Sequence, residues 1–386
     1  MKRKIGIITM YHNSINYGGV LQAYALAKFL KNQGYDAEQV RFVSKLTEWQ
    51  KVKILFDRGI KRAIKDVLRN TRWVVRKMLF FRRKNVIKLD DAFSSYRSAF
   101  TRFGESFVPH SSVVYNGKTI KKANGEYDVF ITGSDQVWNF DWYNPIYFLD
   151  FATKNKEKIS YAASISMDSL NNKQRGIFKR SLKKYSAVSV REEKAASLIS
   201  DISPKQPVVV LDPTLLLAKD DWYSLAKNEI KCDNYVFCYF IGSNEAGRRL
   251  AKEFARNHGL KLIGISVYHN FDELDIKLKD AGPEEFLSYL KNAKCVFTDS
   301  FHAVVFSKIF EKQYFVFNRD ERGSMSSRIR TITSLFETEE RFCYGERENL
   351  GYIESLSDID YAKPLVKFEE KKKESIEFLL GALENK

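Results

Sequence analysis

The sequence predicts an α/β protein of two domains of similar size, each a parallel sheet covered by helices, facing one another across a cleft, with a basic amphipathic helical insertion in the first. Three observations predict it. Short apolar runs that read as buried strands alternate with helical periodicity along most of the chain. The alternation is interrupted by one strongly basic stretch and pauses near Asp212 and Pro213. At 386 residues the chain also exceeds what one hydrophobic core ordinarily organises. The expected divisions are residues 1–206 with the insertion at about 50–90, residues 207–362, and a closing helix over 363–386.

In the first series, residues 4–10 (KIGIITM) read as a buried strand. The loop YHNSINYGG leads into VLQAYALAKFLKNQGY, whose apolar residues recur at helical spacing and stop at Gly34, and DAEQVRFV supplies a second strand. Strand, glycine-bearing loop, helix and strand make the βαβ unit of a parallel sheet. Past the basic stretch come strands in YDVFITGSDQVWN (127–139) and KISYAASI (158–165), a helix around 171–184, the short strand AVSV and the helix REEKAASLI. PVVVLDPTLLL (207–217) carries a strand to its end at Asp212 and Pro213, where the linker is placed. The second series runs YVFCYFIG, EAGRRLAKEFARNHG, LKLIGISV, PEEFLSYLKNA, KCVFTD, the helix-like TDSFHAVVFSKIF and QYFVFN, and FEEKKKESIEFLLGALE closes as a helix.

A hydrophobic share of 44% without low-complexity stretches excludes a disordered chain. No run reaches the roughly 18 apolar residues of a membrane span. The basic start MKRK precedes too short an apolar stretch for a signal peptide, so a cytoplasmic protein is expected. Cys232, Cys238, Cys295 and Cys343 form no zinc-ligand spacing and read as reduced thiols, and no metal site is expected.

The formal charge of +16 calls for an anionic partner. Residues 51–88 hold fourteen Lys or Arg against Asp57 and Asp66, about three quarters of that charge. Apolar residues including Ile60, Ile64, Trp73, Phe80 and Phe81 are interleaved, often three or four apart, as in an amphipathic helix or helical hairpin. Such a helix suits the headgroup layer of an anionic leaflet, where each cation contributes about 1 kcal/mol. The plainer alternative is a helix packed on the domain with a solvated basic face. Nucleic acid is not expected, because no recognised binding motif accompanies the charge.

Ligands of doubly wound sheets lie outside the carboxyl ends of strands, so the loops there hold the candidates. Asn16, Tyr17, Gly18 and Gly19 precede a helix whose first amides suit an anion, or form a tight turn. In TGSDQVW, Ser134 or Asp135 suits a cap for a helix beginning near Gln136. Alternatively Asp135 meets a sugar hydroxyl and Trp138 stacks on the sugar. Arg191 ends a strand and opens a helix, where a guanidinium suits a phosphate or carboxylate. His302 follows KCVFTDS into the second domain's cleft, either as a turn filler or as a working imidazole.

NYGGVLQAYAL, FITGSDQVWN, SYAASI, SVREEKAASLI, VLDPTLLL and TDSFHAVVFSKIF together resemble the polysaccharide pyruvyl transferase family, in family order over about residues 16–310. The resemblance implies a GT-B-like pair of Rossmann-like domains. It also implies transfer of pyruvate from phosphoenolpyruvate to two hydroxyls of a sugar, releasing phosphate, in the synthesis of a bacterial capsule, exopolysaccharide or cell-wall polymer. No cofactor is implied, phosphoenolpyruvate being a co-substrate.

The family histidine falls on His302 and the donor-binding arginine on Arg191. The donor is expected to meet Ser300, Phe301, Gly242 and Ser243 as well, and the acceptor Asn16, Tyr17, Gly18, Gly19, Asp135, Gln136 and Trp138. Some family members carry an arginine where this chain has Ser300, and Arg328 or Arg330 is expected to supply the charge. A polyprenyl-diphosphate-linked acceptor would explain the basic segment as a peripheral contact with the inner face of the membrane. The alternatives are a GT-B glycosyltransferase using a nucleotide sugar and a non-catalytic scaffold of a polysaccharide-assembly complex.

Overall fold

The computed structural model of the protein describes residues 3–44, 86–226, 230, 232–242, 244–265, 274–319 and 326–384, with the backbone alone over 86–93. The first sheet contains β1 (Lys4–Ile8), β2 (Asp36–Val43), β3 (His110–Asn116), β4 (Val129–Thr132), β5 (Glu157–Ala163), β6 (Ala187–Val190) and β7 (Val208–Val209). The second contains β8 (Tyr235–Tyr239), β9 (Lys261–Ile265), β10 (Ile276–Leu278), β11 (Cys295–Thr298), β12 (Gln313–Phe317) and β13 (Phe342–Cys343). Around them run α1 (Tyr17–Asn32), α2 (Val86–Ser106), α3 (Asn172–Leu182), α4 (Glu193–Ile199), α5 (Lys219–Tyr223), α6 (Glu245–Asn257), α7 (Pro283–Asn292), α8 (Phe301–Ile309), α9 (Ser326–Leu335), α10 (Leu350–Ser355) and α11 (Val366–Glu384).

Every strand pairing is parallel. The orders are β3-β2-β1-β4-β5-β6-β7 and β10-β9-β8-β11-β12-β13. Each sheet starts with a central strand, grows to one side, then returns and grows to the other, as in a Rossmann domain. The reversal between β1 and β4, and again between β8 and β11, leaves loops that diverge and a crevice at the carboxyl ends. The central strands read as unbroken apolar runs because helices cover both faces: KIGII of β1 is buried from its second residue onward.

The two sheets meet through apolar surface. One hydrophobic cluster contains Ile5, Val20 and Leu21 from β1 and α1 together with Tyr239, Phe286, Phe301 and Phe306 from the second half. Tyr17 stacks on Phe286 with centroids 4.4 Å apart and meets Tyr239 edge-on at 5.4 Å. An apolar contact of this kind opposes free domain motion. All four cysteines are free and buried, as core thiols.

The structure departs from two expectations. No α-helix begins near Gln136: Asp135 takes a left-handed φ of 57°, and the chain continues through turns into 3-10 segments at Phe140–Trp142 and Pro145–Phe148. β3, β10 and β13 were not foreseen. The expected basic helical insertion lies outside the described residues, apart from 86–88 at the start of α2. Among the described residues no helix is long and apolar enough to cross a membrane.

Candidate active site

The loops after β1, β4, β6, β7 and β11 converge on one charged cluster. Its framework is Gln22 of α1, whose Oε1 accepts from the Ser134 amide at 2.9 Å while Nε2 donates to Thr9 Oγ1 at 3.0 Å and to the Gly19 carbonyl at 2.8 Å. Thr9 Oγ1 in turn donates to the Ser134 carbonyl at 3.0 Å. These bonds fix the β4 loop, and with it Asp135, against α1.

Asp212 is the hub. It caps the 3-10 turn Pro213–Leu215, with Oδ1 accepting from the Thr214 amide at 3.1 Å and hydroxyl at 2.7 Å. Its other oxygen accepts from Arg191 Nη1 at 2.6 Å and Ser134 Oγ at 3.2 Å, and stands 3.4 Å from His302 Nε2. Arg191 Nη2 donates to Asp135 Oδ1 at 3.2 Å, and its guanidinium carbon lies 4.4 Å from the centre of the Phe301 ring. Glu192 is buried beside it, with Oε1 accepting from Ser164 Oγ and the amides of Ile165 and Ser166.

Arg191, Asp212 and His302 are 4%, 1% and 6% exposed, so water screens these charges little. Desolvation opposes the ionised Asp212, but the His302 and Arg191 partners outweigh it and hold its carboxyl well below the usual range. Asp135 is likewise held low: burial acts upward, and Arg191, His302 and Arg328 act downward more strongly. Arg328, buried in the first turns of α9, moves the other way. Burial first, then Arg191 and Arg319, push its guanidinium down to about 9.

His302 lies in the first turn of α8, which Ser300 caps through its hydroxyl. Its Nε2 is buried and makes no hydrogen bond within the described residues. A Cβ on Gly18 would stand 1.9 Å from His302 Nδ1, so only glycine lets α1 close on the imidazole. A cavity of about 390 Å³ opens beside the cluster, bounded by Arg191, Asp212, Phe301, Leu211, Ile332 and Leu335.

The structure therefore brings together His302, Arg191, Asp135, Phe301, Arg328, Gly18 and Gly19, and corrects other expectations. Each terminal nitrogen of Arg191 donates to a carboxylate, while its buried Nε has no hydrogen-bond partner among the described residues. Trp138 is fully buried among Phe148, Phe178 and Tyr185, with its indole N–H on the Tyr147 carbonyl, and offers no face to a sugar. Tyr17 belongs to the core between the sheets and donates to the Ala281 carbonyl. Asn16 caps α1 by accepting from the Gly19 amide, and Gln136 accepts from Asn139.

The Ser300 hydroxyl accepts from the Ala303 amide as the cap of α8 and keeps its own proton to donate. The Gly242 amide is taken by Asp299, and Ser243 lies outside the described residues. Arg330 is exposed and packs on Tyr344, whereas Arg328 is buried beside the cluster. Sequence reasoning missed Asp212, Gln22, Glu192 and Asp299. Asp212 carried the same signal as Asp135, a carboxylate at a strand end, in the segment VLDPTLLL.

The family model described as polysaccharide pyruvyl transferase matches residues 16–321. In fold the chain is similar to the UDP-GlcNAc 2-epimerase from Methanocaldococcus jannaschii, with a TM-score of 0.54 and 12% identity over 99% of this chain and 100% of that one. The structure of the M. jannaschii UDP-GlcNAc 2-epimerase in complex with UDP-GlcNAc and UDP gives 0.52 and 11%, over 99% of each chain. At such identity the likeness shows the fold alone, a GT-B-like pair of Rossmann-like domains. No curated protein matches.

Proposed function

The chain belongs to the polysaccharide pyruvyl transferase family, and from that premise we propose that it transfers pyruvate from phosphoenolpyruvate to two hydroxyls of one sugar. The observation that carries this reading is His302 Nε2, buried, without a hydrogen bond and 3.4 Å from Asp212, at the meeting of both switch points. An imidazole nitrogen left without a hydrogen bond among the described residues, facing a carboxylate beside a cluster of arginines, suits an anionic enol ether that must be protonated at carbon.

Phosphoenolpyruvate brings a phosphate and a carboxylate. Arg328 is the group whose charge the site opposes most, and a bound anion relieves that opposition. Arg191, bonded to Asp135 and Asp212, positions those two carboxylates. His302 delivers a proton to C3 as oxocarbenium character develops at C2. One sugar oxygen bonds to C2, the C2–O bond to phosphate breaks, and the second sugar oxygen closes the ketal. Of the two hydroxyl protons, one replaces that given to C3 and the other leaves with phosphate. Asp135, held strongly acidic, is a poor base and serves better to orient a hydroxyl.

The 390 Å³ cavity supports the acceptor side of this reading, since its apolar wall and its rim of Glu370 and Lys371 suit the faces and hydroxyls of a sugar. We place the acceptor on a polyprenyl diphosphate at an anionic membrane surface, on the strength of the basic residues 51–88, in the making of a capsule, exopolysaccharide or cell-wall polymer. Phosphate release from phosphoenolpyruvate with a panel of lipid-linked sugars, and the pyruvyl mass increment on the product, test the reaction. His302→Gln is expected to lose at least a hundredfold in turnover with donor binding retained. Turnover at the parent rate in that variant, or release of nucleotide from a sugar donor in place of phosphate, would overturn the proposal.

A further inference from the structure

In a doubly wound domain the turn after the first strand is where a ligand's phosphate ordinarily sits, facing backbone amides and a helix N-terminus. The second domain's equivalent is the turn from β8 to α6. Its two leading amides already have an acceptor. Ile241 N donates to Asp299 Oδ1 at 2.7 Å and Gly242 N to Asp299 Oδ2 at 2.6 Å, one amide to each oxygen of a carboxylate only 3% exposed.

Described residues crowd the turn from other sides as well. A Cβ on Gly242 would stand 2.1 Å from the Arg319 carbonyl and 2.9 Å from Asp299 Oδ2, Arg248 Nη2 donates to the Gly242 carbonyl at 2.6 Å, and Asn244 is spent capping α6. Burial pushes the Asp299 carboxyl upward, opposed by Arg319 and by the two amides, which are the contacts a bound anion would make.

We infer that Asp299 is a built-in anion, its carboxylate filling the phosphate seat of the second domain, so that this domain excludes nucleotide diphosphates and uses the seat to fix the backbone from which His302 projects. Asp299 immediately precedes the cap residue Ser300 and the first turn of α8. The carboxylate thus couples the β8 turn to the β11 turn, joining the two strands between which the sheet order reverses. The inference rests on the geometry of this turn and holds whichever acceptor sugar the protein takes.

Asp299→Ala removes a carboxylate that formate replaces. The unfolding temperature of Asp299→Ala is expected to fall and to rise again saturably with sodium formate, with no such rise in sodium chloride at equal ionic strength and none in the parent protein. Absence of a formate-specific response in the folded variant overturns the inference. Should Asp299→Ala not fold, Asp299→Asn, which keeps the shape and loses the second acceptor, is expected to speed amide hydrogen exchange in residues 240–248 at least tenfold, and unchanged exchange there overturns it equally. UDP at millimolar concentration is expected to leave exchange in that peptide of the parent unchanged, and protection by UDP would show the seat open. Phosphate release from phosphoenolpyruvate, read separately in the parent, decides the reaction proposed above without bearing on this seat.

Discussion

Arg328 is a single residue held in its charged form at a cost, which a bound anion would relieve. Its charge is opposed by burial and by Arg191 and Arg319, with Asp135 and Glu192 compensating in part. Arg328→Met keeps an unbranched apolar stem and removes the charge. It is expected to raise the KM for phosphoenolpyruvate at least tenfold while unfolding at no lower temperature than the parent, as kinetics and calorimetry would show. An unchanged KM would remove Arg328 from the donor site. At this scale the sequence was partly legible. His302, Arg191 and Asp135 stand at strand ends, and strand ends converge in parallel sheets whatever the side chain. Trp138 and Tyr17 stand at the same kind of position, but an aromatic there fills a core as readily as it stacks on a sugar, and nothing in spacing reports burial. The carboxylates that Arg191 meets were not legible, because Asp212 and Asp135 lie 21 and 56 residues away.

Among the elements, the legible ones are those with a continuous apolar signal. β1, β4, β5, β8, β11 and β12 are central and read directly as buried runs. The unforeseen strands β3, β10 and β13 are each at an edge of their sheet. β3 buries only Ser111 and Tyr115, with three exposed residues between them that break any alternation, while β10 and β13 have three and two residues, too few for a period to emerge. The basic segment poses its own test at this scale. Because α2 begins at Val86, deletion of residues 52–84 spares that helix. The deletion is expected to reduce binding to vesicles containing anionic lipid, and to reduce activity on a lipid-linked acceptor more than on a soluble sugar. Equal losses on both acceptors would assign the segment to packing.

For the molecule as a whole, the buried network ties stability to acidity. Asp135 and Asp212 both titrate below their unfolded values in the native state. The unfolded chain therefore binds more protons as pH falls below about 4, and stability falls with it. Asp299, shifted upward, acts in the opposite sense and in the window above about 4. Urea titrations are expected to show the midpoint dropping below pH 4, and Asp135→Asn to flatten that drop by up to about 1.4 kcal/mol per pH unit. An unaltered slope in that variant would mean that Asp135 is not held acidic by the fold.

The segment that delivers Asp212 is also secured from far along the chain. The Leu211 amide donates to Ser375 Oγ of α11 at 2.9 Å, across a separation of 164 residues, and Leu379 and Leu383 of the same helix join the core that contains β1. A ribosome adding about 5–20 residues per second takes about 8–30 s to cover that distance. Throughout that interval the first sheet can form while the segment carrying Asp212 lacks its brace. The order of synthesis therefore sets the bracing of the Asp212 turn after every strand of the first sheet has been made.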